Sequence, residues 1–364
     1  MRELTVVCTW VIVRLPRRMG DLESRLEAYL SARIPGARDI RVAELARLFG
    51  GASRETYRFT ARWIEEDRAV DRGLILRRDP TSSLIETERE LEFAAYQAFH
   101  GRGVPVPEPL FFETDPSWLE RPFFVMEEIA GCQASATSLA APPYSGLLDK
   151  IGEQKWRILG RIARTDVAGT ALARSLEAPA ADECWSRELA HWEKVLDEDE
   201  LGPQPIVRAA IRKLRREPPP PAARVGVVHG DYRTGNFLYD ERGDIRAILD
   251  WEMCHLGNPL EDLAWAMTPL WAWPDASKPG KLIARECALA LWEEESGLAI
   301  DAKAFAWWEL FSCVKGIAIW TSSAREFADG KSRAPINVAA AWYATDIHNR
   351  VLVDLLAPKA ETAS

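Results

Sequence analysis

The sequence predicts an α+β protein of two lobes: a small β-rich lobe, then a larger and mainly α-helical one. Three observations carry this. From about residue 40 to 130, short apolar runs are broken by glycine and proline, with one helical pattern among them. Beyond Gly131 the apolar spacing is helical almost throughout. The 364 residues suffice for two lobes and a large core.

Residues 1–18, "MRELTVVCTWVIVRLPRR", are expected to be an N-terminal extension, either disordered or preceding a true start at Met19. Their apolar run Leu4–Val13 lacks a small-residue cleavage site, and its strongest positive charge follows the run, unlike a secretory signal. Ten residues are too few to span a bilayer, so contact with a membrane surface is the most this run offers.

The N-lobe is assigned to residues 19–130. "DLESRLEAYLSARI" places Leu22, Leu26, Tyr29, Leu30 and Ile34 at helical spacing. "RVAELARLFGGASRETYRFTARW" and "RGLILRRDP" read as strands around a Gly-Gly turn. "SSLIETERELEFAAYQAF" is a helix with Ser82 or Ser83 near its start. "GVPVPEPLFFE" and "RPFFVMEEIAG" are extended, and a hinge falls near Glu127 to Gly131. The C-lobe takes residues 131–358, with 359–364 as a tail. Its helical runs include "LEDLAWAM" and "AKAFAWWELFSCVKGIAIWTSSAREF", and "EPPPPAA" is a rigid extended connector.

A net charge of −9 and a pI near 5.3 argue against nucleic acid as a partner. All ten lysines lie at or after Lys150, so arginine supplies every cation before it. Six cysteines without a CxxC pair suggest neither zinc nor disulfides, which fits a reducing cytoplasm.

The chemistry concentrates in "HGDYRTGNFLYDERGDIRAILDWE", His229 to Glu252. A short β-type run ends at His229, "DERGD" is a tight turn, and "IRAILDW" delivers Asp250. Phosphoryl transfer needs a carboxylate to orient a hydroxyl and take its proton, and oxygen ligands to hold Mg²⁺ on the triphosphate. Asp231, four intervening residues and Asn236 follow the spacing of a kinase catalytic loop, with Asp250 on the neighbouring hairpin. Arg233 can lie against the transferring group, and Gly230 lets the backbone turn ahead of Asp231.

These residues resemble the aminoglycoside phosphotransferase and choline-kinase-like family, whose motif HGDxxxxN followed by a D-[WF] hairpin is matched without a gap. "LDWEMCHLGNPLEDLAW" is similar to a branch resembling the kinase-like domain fused to some animal acyl-CoA dehydrogenases. The resemblance implies a protein-kinase-like fold and the cofactors ATP and Mg²⁺. It implies Asp231 as catalytic base, and Asn236 and Asp250 as metal ligands. His229 either orients the loop or is a satisfied structural histidine. Asp262 either holds the loop or is a helix N-terminal acid. "FGGASRETY" resembles the phosphate-covering turn, with Gly50, Gly51 and Ser53 at the nucleotide and Arg54 where Asn is usual. Arg77 stands at the place of the phosphate-gripping lysine, unless it is a surface charge beside Arg78. Its acidic partner is Glu92, with Glu88 one turn earlier as the rival. Backbone groups of Glu127 to Ile129 would meet the adenine.

The implied partner is a small-molecule hydroxyl. Nine of fifteen tryptophans fall at or after Trp251, which suits an apolar or hydroxyacyl alcohol unless they are plain helical core. Aminoglycosides would want clustered carboxylates; "EEES" (293–296) and "DEDE" (197–200) are acidic, yet such runs are usually solvated faces. A nucleotide-binding pseudokinase is the alternative outside enzymes.

Overall fold

The computed structural model describes residues 11–13, 19–49, 55–78, 87–272, 275–331 and 335–357. Its strands, in chain order, are β1 (Val11–Val13), β2 (Arg38–Phe49), β3 (Glu55–Glu65), β4 (Arg68–Arg78), β5 (Pro109–Glu113), β6 (Phe123–Glu127), β7 (Cys132–Gln133), β8 (Gly226–Val228), β9 (Phe237–Asp240), β10 (Ile245–Ile248) and β11 (His255–Gly257). The chain divides into two compact units. The first comprises Met1–Leu147, Val167–Ser175 and Gly235–Met253; the second comprises Leu148–Asp166, Leu176–Thr234 and Cys254–Ser364.

The first unit is built on a six-stranded antiparallel sheet of order β1-β2-β3-β4-β6-β5. Alternate residues of β3, namely Tyr57, Phe59, Ala61 and Trp63, are buried, as the two-residue period of a strand dictates. They join Leu26, Tyr29 and Leu30 of the helix Met19–Arg33 in one core. β6 is apolar on both faces because both are covered. Phe123 and Val125 enter that core, while Phe124 lies beside Phe93 and Tyr96 of the helix Thr87–Phe99. Each such aromatic contributes roughly 1.5–3 kcal/mol by leaving water. The same helix carries Phe99, which stacks on Trp251 at 4.5 Å and fastens the end of the β9–β10 hairpin to the unit.

The turn of that hairpin is as tight as its acids and glycine suggest. Gly243 has φ +75°, and Asp240 accepts hydrogen bonds from the Arg242, Gly243 and Asp244 amides.

The second unit is helical apart from the short β8–β11 ladder. Its centre is the helix Ala302–Ala328, whose Trp308, Phe311, Val314 and Ile317 are fully buried. No described helix is long and apolar enough to cross a membrane. The five described cysteines are free thiols.

One packing detail has a pH consequence. His348, on the helix Pro335–Leu356, is fully buried and occupies the space left by Gly316, where a methyl group would collide with the imidazole. Neither ring nitrogen has a hydrogen-bond partner among the described residues. Burial pushes its pKa down to about 3. Because the folded value lies below that of the unfolded chain, His348 costs nothing above pH 6.5 and destabilises progressively as pH falls towards 3. His348→Leu should therefore narrow the gap between urea midpoints measured at pH 7 and pH 4.5. A gap as wide as in the parent would contradict the assignment.

Candidate functional site

In the second unit, β8 delivers His229 and then Gly230, whose φ of +86° makes the sharp turn ahead of Asp231. β8 pairs with β11, so the helix Leu260–Ala266 that follows β11 starts beside this loop. Asp262, in its first turn, accepts from the His229 amide at 2.5 Å and the Gly230 amide at 3.0 Å. Asp262 thus fits both readings the sequence left open, since a helix N-terminal acid is here also the brace of the loop. Burial raises its pKa, against the pull of His229. The His229 ring is fully buried, and its Nδ1 accepts the Asp231 amide proton at 3.2 Å. This contact fits both readings the sequence left open, a histidine that orients the loop and a satisfied structural one.

The Asp231 carboxylate accepts from side chains of its own loop and of the helix Leu260–Ala266. Trp265 Nε1 donates to Oδ1 at 2.9 Å, and Arg233 Nε reaches Oδ2 at 3.1 Å and Oδ1 at 3.2 Å. The Arg233 guanidinium lies 5.1 Å from the centroid of the Trp271 ring, a cation–π arrangement. The helix Leu148–Arg164 supports the loop from another side: Tyr232 donates to the Lys155 carbonyl at 2.7 Å. Thr234 Oγ1 donates to the Gly280 carbonyl at 3.0 Å, and the Lys155 ammonium lies 3.5 Å from Thr234 Oγ1. Full burial pushes the Lys155 pKa down to about 7.

Behind the loop lies a buried ionic cluster. Glu261 is fully buried and accepts from Lys315 at 2.9 Å; it also meets His255 at 3.1 Å, which in turn lies 3.6 Å from Glu188. Burial works against charge on His255, but Glu261 and Glu188 outweigh it and lift its pKa to about 9. Glu188, His255 and Glu261 are close enough to suggest metal ligands. Lys315 and protonated His255 already supply the two cations that balance the two carboxylates.

In the first unit, β9 and β10 hold the proposed metal ligands at one end of their hairpin. Phe237 pairs with Ile248, and just beyond that pair the Leu249 amide donates to the Asn236 carbonyl at 2.8 Å. Asn236 is buried; Asp250 is about one-third exposed and has φ +69°. An amide oxygen and a carboxylate on adjoining positions make a hard-oxygen donor set of the kind Mg²⁺ selects. Asp250 Oδ1 also meets Arg77 Nη2 at 3.2 Å.

Arg77 projects from the middle of the sheet, with β3 and β6 on either side of β4. It is no surface charge: its side chain is 10% exposed, and Nη1 forms an ion pair with fully buried Glu92. Burial opposes the charge on Arg77, but Glu92 and Asp250 raise its pKa further. Its Nε is buried with no hydrogen-bond partner among the described residues. Tyr96, one helical turn after Glu92, donates to Glu92 at 3.3 Å and accepts from the Asp250 amide at 3.3 Å.

The remaining expected nucleotide contacts divide. Gly50, Gly51 and Ser53 lie outside the described residues. At the end of β6 the Glu127 amide donates to the Glu108 carbonyl at 2.9 Å, and the Glu128 amide to the Gly73 carbonyl at 3.0 Å. These two N–H groups are thus committed to the sheet, and Ile129, half-buried, follows them.

Sequence reasoning missed Tyr96, Trp265, Lys155 and Lys315. For Tyr96 a signal existed, because the i,i+4 spacing from Glu92 puts both on one helix face.

Residues 44–298 match the model of the APH phosphotransferase enzyme family. Mouse acyl-CoA dehydrogenase family member 10 is 29% identical over 253 residues, covering 69% of this chain and 22% of the mouse protein. Human acyl-CoA dehydrogenase family member 11 is 25% identical over 271 residues, 69% of this chain and 31% of the human one. The chain thus spans less than a third of the length of these relatives. Among solved structures, a provisionally named aminoglycoside phosphotransferase of Ralstonia eutropha superimposes with a TM-score of 0.71 at 20% identity. That match covers 91% of this chain and 97% of the other. A thermostable mutant of aminoglycoside phosphotransferase APH(4)-Ia, in ternary complex with AMP-PNP and hygromycin B, does so at 0.58 and 18% identity, covering 93% and 99%. The fold is accordingly the kinase-like one anticipated from the sequence, with an antiparallel-sheet N-lobe and a helical C-lobe.

Proposed function

Because the chain belongs to the APH phosphotransferase enzyme family, we propose that it transfers the γ-phosphoryl group of ATP, with Mg²⁺, to the hydroxyl of a small molecule. The observation that carries this reading is the Arg77 ion pair with Glu92 and Asp250, beside a hairpin end that also holds Asn236. An arginine beside a candidate metal-binding carboxylate is suited to gripping phosphate oxygens.

In this reading Asp231 orients the acceptor hydroxyl and takes its proton. Arg233 turns from Asp231 towards the transferring group, and Asp262 and His229 keep the loop backbone in place. Asn236 and Asp250 would hold Mg²⁺, which supplies charge neutralisation on the phosphates. Catalysis is then mainly positioning and electrostatics.

We prefer an apolar or hydroxyacyl alcohol as acceptor. Relatives named for acyl-CoA dehydrogenation support this, as does Trp271 beside Arg233. The tryptophans are not all available, however: Trp292 and Trp308 are fully buried core. Aminoglycosides are the rival acceptors, supported by the hygromycin B complex of the APH(4)-Ia relative. Against them, the acidic runs are engaged elsewhere. Glu295 is shared by Arg157, Arg161 and Arg164, while Asp197 and Glu200 pair with Arg208.

The test is ADP release from ATP across hydroxyacyl-CoAs, aminoglycosides, choline and sugars, with Mg²⁺ or with EDTA. Turnover should require Mg²⁺ and one acceptor class, and Asp250→Ala should reduce it by about 100-fold or more. Turnover indifferent to EDTA and to that substitution would refute the metal assignment.

A further inference from the structure

Trp265 is fully buried, at 1% exposure, yet its indole N–H is spent on the side chain of a loop residue. Core packing alone does not explain this. The buried indoles of Trp156, Trp192, Trp292 and Trp308 leave Nε1 without a partner among the described residues, and Trp251 and Trp307 give theirs to backbone carbonyls. The fold therefore tolerates unpaired indole N–H groups, and the aim of this one at Asp231 is specific.

An indole nitrogen can only donate, so the polarity of the bond is fixed. The ring itself is held on several sides. Trp271 packs edge-on at 5.3 Å, and the Lys315 ammonium lies 5.4 Å from its centroid. Lys315 is in turn anchored by Glu261, four residues before Trp265 on the same helix. That helix also carries Asp262, which grips the loop backbone at His229 and Gly230. One short helix thus sets both the backbone of the loop and the orientation of its carboxylate.

We propose that Trp265 is a positioning residue for phosphoryl transfer, whose N–H holds the Asp231 carboxylate in one rotamer. The inference rests on Asp231 being the base. Arg233 also donates to that carboxylate, but it is partly exposed, and the proposed function assigns it to the phosphoryl group. Trp265 is the partner that stays while Arg233 turns.

The test replaces Trp265 site-specifically by β-(3-benzothienyl)alanine, which keeps the ring shape and replaces N–H by sulfur; Trp265→Phe is a second variant. A high-resolution crystal structure of the isostere variant should show Asp231 in a changed rotamer or in more than one, with the melting temperature unchanged. In the ADP-release assay kcat should fall about 10- to 100-fold, the range for losing a hydrogen bond to a charged group, while KM for ATP stays constant. In an Asp231→Asn background the isostere should cause no further loss. An unaltered Asp231 rotamer, or parental kcat, overturns the proposal while leaving the base assignment intact. Undiminished turnover in Asp231→Asn itself would instead overturn the base assignment, and this inference with it.

Discussion

Asp231→Asn should lower the turnover number by about 10²- to 10⁴-fold, the contribution of a positioned general base. The substitution is nearly isosteric, and an amide oxygen can still accept the Trp265 N–H that Oδ1 now takes at 2.9 Å. The loop backbone is held by Asp262, independently of the side chain at 231. The fold should therefore survive. What disappears is the group able to receive a proton, together with the charge that now holds Arg233. ADP release with the preferred acceptor measures the first loss. The rise in melting temperature on adding ATP and Mg²⁺ should persist, because binding is assigned to other residues. A variant that binds nucleotide as before and turns over at the parental rate would remove Asp231 from the mechanism.

Lys315→Met is expected to destabilise the fold by about 3–5 kcal/mol, the cost of stranding a buried charge whose partner has gone. Lys315 and Glu261 are both essentially inaccessible to water, and their 2.9 Å contact, together with His255, keeps Glu261 ionised despite burial. Combining Lys315→Met with Glu261→Gln should cost less than Lys315→Met alone, because His255 then remains balanced by Glu188. Urea midpoints at pH 7 measure both. Additive losses would mean that the pair is not energetically coupled. The cluster also carries a pH signature. The folded pKa of His255, about 9, lies above its ordinary value of 6.5. Its stabilising contribution is complete below pH 6.5 and is lost as pH rises through 9. That slope is opposite in sign to the one His348 imposes in acid.

The sequence made local features legible and long-range ones not. The alternation in β3 and the turn between β9 and β10 depend only on neighbouring residues. His229, Asp231, Asn236 and Asp250 were visible because a single stretch carries them all. Arg77 was correctly placed on its strand, but only three-dimensional packing shows it buried against Glu92. The Lys315–Glu261 pair joins two helices 54 residues apart, and nothing local in either segment announces it. The tryptophans stayed ambiguous for the same reason. Trp307 and Trp308 belong to the core, whereas Trp271 lies beside Arg233, and both sets read alike as aromatic letters on helices. The acidic run at 293–296 looked like a solvated face, yet Glu295 is largely covered by three arginines of another helix.

The left-handed backbone at Asp250 restricts what this position can become. At φ +69° only glycine, asparagine and aspartate are accommodated readily. The hairpin thus reduces the chemical alphabet at residue 250 to three letters, of which one bears a charge. A replacement that leaves the backbone at ease discards the carboxylate, while a glutamate would keep the carboxylate and strain the chain. Drift at this position therefore has few exits, and the unstrained ones lead towards a descendant that keeps its fold but no longer has the acidic ligand.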